Sequence, residues 1–164
     1  MSEITAGELW ARRDALENEA ALLLGHMLFE FSRFDVNLGL CLVWVDGGAR
    51  IESQTKSVEM LNLKAKLDEL AKHVATKLLF GSKQRRAYES WIERANSVRQ
   101  QRNHLVHGRW GVEAHKNKVV NVIGLPTSST QRSVEYTIEE LAEVTQTLRV
   151  LQLELARLRE QLPL

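Results

Sequence analysis

Proline stands at only two positions, Pro126 and Pro163, and residues 1–125 contain none. A proline inside a helix removes a backbone donor and clashes with the preceding turn, so its absence leaves long helices open. Apolar residues then recur at steps of three and four in four segments, the spacing of a helix with one buried face. The spacing predicts an all-α chain, an up-and-down bundle of four to five helices. A small β-hairpin insertion, at about residues 109–136, precedes the last helix. The length of 164 residues fits a single domain over residues 1–164. A chain of that size buries enough surface to fold without disulfides or metal.

The first predicted helix runs from Thr5 to Trp44, with a break near Asn18. Its second part is apolar on several sides, among them Met27, Phe31, Phe34, Leu38 and Leu42, which places it centrally in the domain. Asp46-Gly47-Gly48 ends it. The second runs from Val58 to Phe80, with Ser57 as N-cap and Gly81 as stop. The third runs from Lys83 to His107 and is closed by Gly108. The fourth opens on Thr137-Ile138-Glu139-Glu140, a capping box in which the Thr and Glu side chains satisfy each other's free backbone donors. It continues through Leu141, Val144, Leu148, Leu151, Leu155, Leu158 and Leu162. A second strip, Ile138, Val150, Leu153 and Ala156, broadens that apolar face beyond a coiled-coil seam and favours packing inside the bundle, with partial exposure at a dimer interface as the lesser option. Between helices three and four, residues 109–114 and 119–123 flank the polar turn His115-Lys116-Asn117-Lys118, a hairpin pattern. Residues 133–136 read as a short third strand.

The formal net charge is +1, from 22 Lys and Arg against 21 Asp and Glu. That average hides an asymmetry. Residues 83–109 carry seven basic and two acidic groups, a net +5, and the rest of the chain carries −4. A basic helix of this kind is a phosphate footprint, or else a solvated face. The single cysteine, Cys41, lies in an apolar run and reads as a small buried hydrophobe. The five histidines have no zinc-like spacing, so neither metal nor cofactor is expected. The segment MSEITAGELW lacks the basic start and apolar core of a signal peptide. The apolar stretch at residues 20–45 contains His26, Glu30, Arg33 and Asp35, too many ionisable groups for a bilayer span. These features predict a soluble cytoplasmic protein with no membrane partner.

The informative segment is Gln101-Arg102-Asn103-His104-Leu105-Val106-His107-Gly108-Arg109-Trp110. On a helical wheel with Trp91 at zero, Arg102 falls at about 20°, amid Ala95, Val98, Leu105 and Val106. Burying an unpaired guanidinium is very costly. Arg102 therefore needs a buried carboxylate, such as Glu30 or Asp35 of the first helix, a cleft, or a subunit interface. The cleft reading makes it an anion site, because its fixed fork of donors matches phosphate. His107 follows Asn103 by four residues, so the two can touch. Asn96, Arg99, Asn103 and His107 together form a polar strip beside the apolar one. His107 is also the last residue before the stop glycine. A helix C-terminus favours a protonated imidazole and nearby arginines oppose it, a balance suited to acid–base work. The plain alternative is a C-terminal cap. Arg99, Arg109, Trp110, Lys116 and Lys118 extend a candidate RNA surface by charge and stacking. His104 faces elsewhere on the wheel and reads as exposed or supporting.

The pattern Arg102-Asn103-x-x-x-His107 resembles the R-x4–6-H motif of the HEPN superfamily, including the polar residue that often follows the Arg. Its context is similar too. The motif closes an internal helix of a small helical bundle and is followed by a Gly-x-Trp turn. The resemblance implies a metal-independent endoribonuclease with Arg102, Asn103 and His107 as its catalytic residues. His107 would act in proton transfer at the ribose 2′-hydroxyl and Arg102 would stabilise the charged phosphate. The products would be a 2′,3′-cyclic phosphate and a 5′-hydroxyl. It further implies a homodimer that brings two motifs into one cleft, a role as a toxin or in antiphage defence, and an antitoxin or other partner protein. The alternative is a non-catalytic helical module that binds RNA, a nucleotide or a partner protein through the same face. A purely structural dimer built on the last helix is a third reading.

Overall fold

The computed structural model describes residues 4–164. The head of the segment tested for a signal peptide, residues 1–3, lies outside them. The described chain is mostly helical, with a three-stranded antiparallel sheet before the last helix. Helix α1 spans Ala6–Val43, α2 Ile51–Glu59, α3 Leu63–Lys77, α4 Lys83–His107 and α5 Ile138–Gln161. Strands β1 (Arg109–Glu113), β2 (Lys118–Ile123) and β3 (Arg132–Tyr136) pair in sequence order. Among the described residues no helix is long and apolar enough to cross a membrane.

Helix α1 is unbroken at Asn18, contrary to the expected interruption. It opens on its own capping box. Glu8 accepts from the Thr5 backbone at 2.8 Å, and Thr5 Oγ1 accepts from the Glu8 backbone at 3.3 Å. The expected second helix is in fact two. The chain turns at Met60 and Leu61, and the Asn62 side chain caps α3 by accepting from the Ala65 backbone at 2.9 Å. Ser57 is therefore not a cap. It lies inside α2, where its hydroxyl donates back to the Ser53 carbonyl at 3.1 Å. The capping box of α5 forms as read, with hydrogen bonds of 2.8 and 3.1 Å between Thr137 and Glu140.

The chain packs as two compact units. One comprises residues up to Phe29 with Gln101–Gln146, and the other Glu30–Gln100 with Thr147–Leu164. In the second unit the core holds Phe34, Leu38, Leu42, Leu67, Leu70, Tyr88, Trp91, Leu148 and Leu151, each at most 2% exposed. The Phe34 and Trp91 rings lie 5.8 Å apart. Two core aromatics use their polar tips on α5 and the residue after it: Trp91 Nε1 donates to the Leu151 carbonyl at 2.8 Å, and the Tyr88 hydroxyl to the Leu162 carbonyl at 2.9 Å. Each such side chain removed from water contributes about 1.5–3 kcal/mol. Buried charges here are paired. Glu30 accepts from Arg33 at 2.7 Å, Arg149 at 3.1 Å and Gln152 at 3.2 Å, and Lys66 donates to Asp35 at 2.9 Å. Cys41 is buried, as its apolar neighbours imply, and burial pushes its thiol above the ordinary range.

The heptad row of α5 is buried from Leu141 to Leu155, but its second strip is not. Val150 and Leu153 stand 39% and 60% exposed, so that strip faces solvent rather than core. Helix α1 is likewise open on one side within this unit. Val36, Leu40 and Trp44, successive at four-residue steps, are each about half exposed. Helix α1 thus supplies core residues, Phe34, Leu38 and Leu42 among them, while leaving this one side uncovered.

In the first unit Leu16, Ala20, Met27, Leu105, Val119, Leu141 and Val144 form the core. The β1–β2 turn is a single 3-10 turn, Ala114–Lys116, followed by Asn117 in the left-handed region at φ 54°. Asn tolerates that region better than most residues. The register sets Trp110 opposite Asn121 and Asn121 opposite Val134. Two residues along, it sets Val112 opposite Val119 and Val119 opposite Tyr136. Side chains alternate along a strand, so these six share one sheet face and Arg109 belongs to the other.

Candidate functional site

The last turns of α4 carry the residues singled out from the sequence. Arg102 and Asn103 are half-buried, and His104 and His107 are exposed. Arg102 Nη1 donates to Asn103 Oδ1 at 3.3 Å. The amide thus turns toward its neighbour. No hydrogen bond joins Asn103 to His107 among the described residues, so the expected pairing at four-residue spacing is not formed. Glu30 and Asp35, the carboxylates considered for Arg102, are engaged by Arg33, Arg149 and Gln152 and by Lys66. Further back on α4, in the other unit, Arg99 Nε donates to Asn96 Oδ1 at 3.3 Å. The polar strip therefore consists of local pairs, each an arginine held by an asparagine amide.

The exit from α4 is fixed by a contact between Gly108 and the β2 residue Asn121. Gly108 closes the helix, as the sequence predicts, but without the positive φ of a left-handed stop. Its need for glycine is steric. A Cβ there would overlap the carboxamide of Asn121, which lies directly against it. Asn121 is 1% exposed, and among the described residues nothing accepts from its Nδ2. A buried donor left without an acceptor costs about 1–3 kcal/mol. The sequence signal was present: one amide in the otherwise aliphatic run Val119-Val120-Asn121-Val122-Ile123. The helix end is tied a second time by Trp110, whose Nε1 donates to the Leu105 carbonyl at 3.0 Å. The Trp110 ring packs against Tyr136 at 5.8 Å. Trp110 is thereby rigid and half-buried, while Arg109 is exposed from the opposite sheet face.

The cations divide by what they already hold. Of the seven on residues 83–109, Arg85 is committed to Glu89 at 2.7 Å and Arg94 to Glu154 at 2.6 Å. The hairpin lysines are committed too. Lys116 and Lys118 reach Glu135 at 2.6 and 3.4 Å. The Lys116 hydrogen bond holds the Glu135 carboxyl below its usual range and raises Lys116 in turn. Lys116 and Lys118 therefore share one acidic partner, Glu135, on the exposed surface of the sheet. Arg109 forms no ion pair among the described residues. No group of three or more His, Cys, Asp and Glu side chains among them is placed to hold a metal ion.

What the α4 end can do chemically follows from two properties. Arg102 brings a guanidinium to a partly desolvated position, where its attraction for an anion is less screened than in water. His107 offers an accessible imidazole at the same helix end. Comparison with known proteins adds no kinship: the chain matches no family model, no curated protein and no solved structure.

Proposed function

We propose that this chain is a metal-independent endoribonuclease of the HEPN kind, with Arg102, Asn103 and His107 at its centre. The observation that supports the reading is the α4 end itself. A half-buried guanidinium, held by the adjacent amide, precedes by five residues an exposed imidazole on the last helical position. In the reaction, neutral His107 takes the proton of the ribose 2′-hydroxyl. The 2′-oxygen attacks the adjacent phosphorus and the bond to the 5′-oxygen breaks. That oxygen leaves with a proton from an imidazolium, supplied by the His107 of a second copy in a shared cleft. Arg102 binds the phosphate as its charge develops, while Asn103 orients Arg102.

A homodimer is part of the proposal. Its support is the exposed apolar row Val36, Leu40 and Trp44 on α1, with Leu153 on α5, side chains that a second copy would remove from water. The finer fold proposed is an up-and-down bundle, and the proposed setting is cytoplasmic, as a toxin or antiphage-defence protein with a neutralising partner.

One observation favours the non-catalytic alternative. No side chain among the described residues hydrogen-bonds the His107 imidazole, and catalytic bases are usually oriented by a third group. The deciding experiment is RNA cleavage by purified protein in EDTA, beside His107→Ala and Arg102→Ala. The endoribonuclease reading expects cleavage by the native protein and its loss in both variants. Equal behaviour of all three proteins contradicts it.

A further inference from the structure

Within the first unit a groove runs between α1 and the sheet, lined by none of Arg102, Asn103 and His107. It consists of two adjoining spaces. The first, about 350 Å³, is bounded by Glu17, Ala20, Ala21 and Leu24 of α1 and by Trp110 and Val119 of the sheet. The second, about 420 Å³, is bounded by Leu9 and Trp10 of α1 and by Glu113 and His115 of the hairpin. Arg13 and Val112 line both. Each space is large enough for a small planar ligand, since small-molecule pockets start at about 300 Å³.

The chemistry of the walls repeats. Each space has an indole, Trp110 in one and Trp10 in the other, and each has a carboxylate, Glu17 in one and Glu113 in the other. The single cation common to both is Arg13. Its guanidinium lies 5.2 Å from the centre of the Trp10 ring and forms no ion pair among the described residues. Trp10 itself is 61% exposed, an uncommon position for the largest apolar side chain. Trp110 is held rigid by Leu105 and Tyr136.

We infer that this groove binds two successive unpaired nucleobases of an RNA strand. One base would stack on Trp110 and the next on Trp10, while Arg13 neutralises the phosphodiester that links them. The inference rests on the reading of this chain as an RNA-acting protein and extends it to a substrate class, single-stranded rather than duplex RNA. The groove complements RNA at both levels, base and phosphate. Indole faces accept any base by stacking, and an unpaired guanidinium at the junction meets the linking charge. The two carboxylates meet the N–H donors of base edges. A uniformly basic groove would instead have suited a polyanion without bases. Trp110 follows His107 by three residues, so a strand held in the groove starts close in sequence to the α4 end.

The test is the binding of a single-stranded 2′-O-methyl oligoribonucleotide, which this chemistry cannot cleave, measured by fluorescence anisotropy. Native protein is compared with Trp10→Ala, Trp10→Phe and Arg13→Ala, and the strand with an otherwise identical abasic one. Trp10→Ala is expected to weaken binding about tenfold, and Trp10→Phe to restore most of it. Arg13→Ala is expected to weaken binding and to flatten its salt dependence by about 0.7 in log–log slope. The abasic strand, which loses the stack on Trp110 as well as the one on Trp10, should bind native protein more weakly still than the intact strand binds Trp10→Ala. Trp10 and Arg13 are solvent-facing, so circular dichroism and thermal unfolding should be unchanged. Binding unaltered by Trp10→Ala and Arg13→Ala, equal binding of the abasic strand, preference for duplex, or no RNA binding at all overturns the inference. Failure here is distinguishable from failure of the catalytic reading. Cleavage that depends on His107 but ignores Trp10 and Arg13 removes the groove alone. Binding that depends on Trp10 and Arg13 without cleavage removes the endoribonuclease alone.

Discussion

Adding one methyl group at Gly108 is the smallest change that reaches the candidate site. The new Cβ would meet the Asn121 carboxamide. Gly108→Ala is expected to cost about 1–3 kcal/mol, the usual range for overpacking a filled site. Asn121→Ala should be mild by itself, because it also removes the buried donor. In the double variant it should recover at least half of the Gly108→Ala loss, a coupling that denaturant unfolding of all four proteins measures. Additive losses would show that the two residues do not share that space. At this scale the sequence was legible where a residue broke its own local pattern. Arg102 stood out on an apolar stripe and His107 at a helix end. Asn121 broke its strand pattern too, but its partner lies across the sheet, and no local spacing links them. The hydrogen bond from Arg102 to Asn103 was equally invisible, because a wheel gives directions for side chains and not the rotamers they choose.

Helices reveal their ends through caps, and the caps here can be weighed one at a time. Thr137→Ala and Asn62→Ala each remove an acceptor for a first-turn amide, at 3.1 and 2.9 Å. Each is expected to lower stability by about 1 kcal/mol in chemical denaturation. No effect of Asn62→Ala would mean that the turn between α2 and α3 is held by packing alone. That turn also shows why the element was misread. Met60-Leu61-Asn62 contains neither Gly nor Pro, and Leu61 continues the apolar spacing straight across the break. The ends of α4 and α5, by contrast, were read correctly because a glycine and a capping box mark them. Between elements, the Glu30 cluster ties α1 to α5. Burial pushes the Glu30 carboxyl up, but hydrogen bonds from Arg149 and Gln152 and the charges of Arg33 and Arg149 outweigh it, leaving a value below the ordinary 4.5. A carboxyl lowered on folding contributes stability above its unfolded value and loses it as pH falls through the folded one. Native protein should therefore lose stability below about pH 4.5, and Glu30→Gln should lose less there while being weaker at neutrality. Parallel pH profiles in thermal unfolding would remove Glu30 from the account.

The whole molecule presents two features that no periodicity argument could assign. One is where α1 opens to solvent. Its apolar residues face several ways, and spacing alone does not say which side is covered. The exposed row Val36, Leu40 and Trp44 answers that for one unit, and it is the face that the proposed homodimer would cover. Leu40→Glu is expected to shift sedimentation velocity from dimer to monomer without loss of helix content, and an unchanged sedimentation coefficient would exclude this row from the interface. The other is the chemistry of the α4 end, which fold class does not determine. The most direct measurement is cleavage of a single-stranded oligoribonucleotide in EDTA, with the product ends identified by mass. Beside it run His107→Ala and the same oligomer with 2′-deoxyribose at the scissile position. The account predicts a 2′,3′-cyclic phosphate and a 5′-hydroxyl from native protein alone, with no cleavage by the variant or at the deoxy position. Cleavage that survives either change, or that leaves a 5′-phosphate, would contradict it.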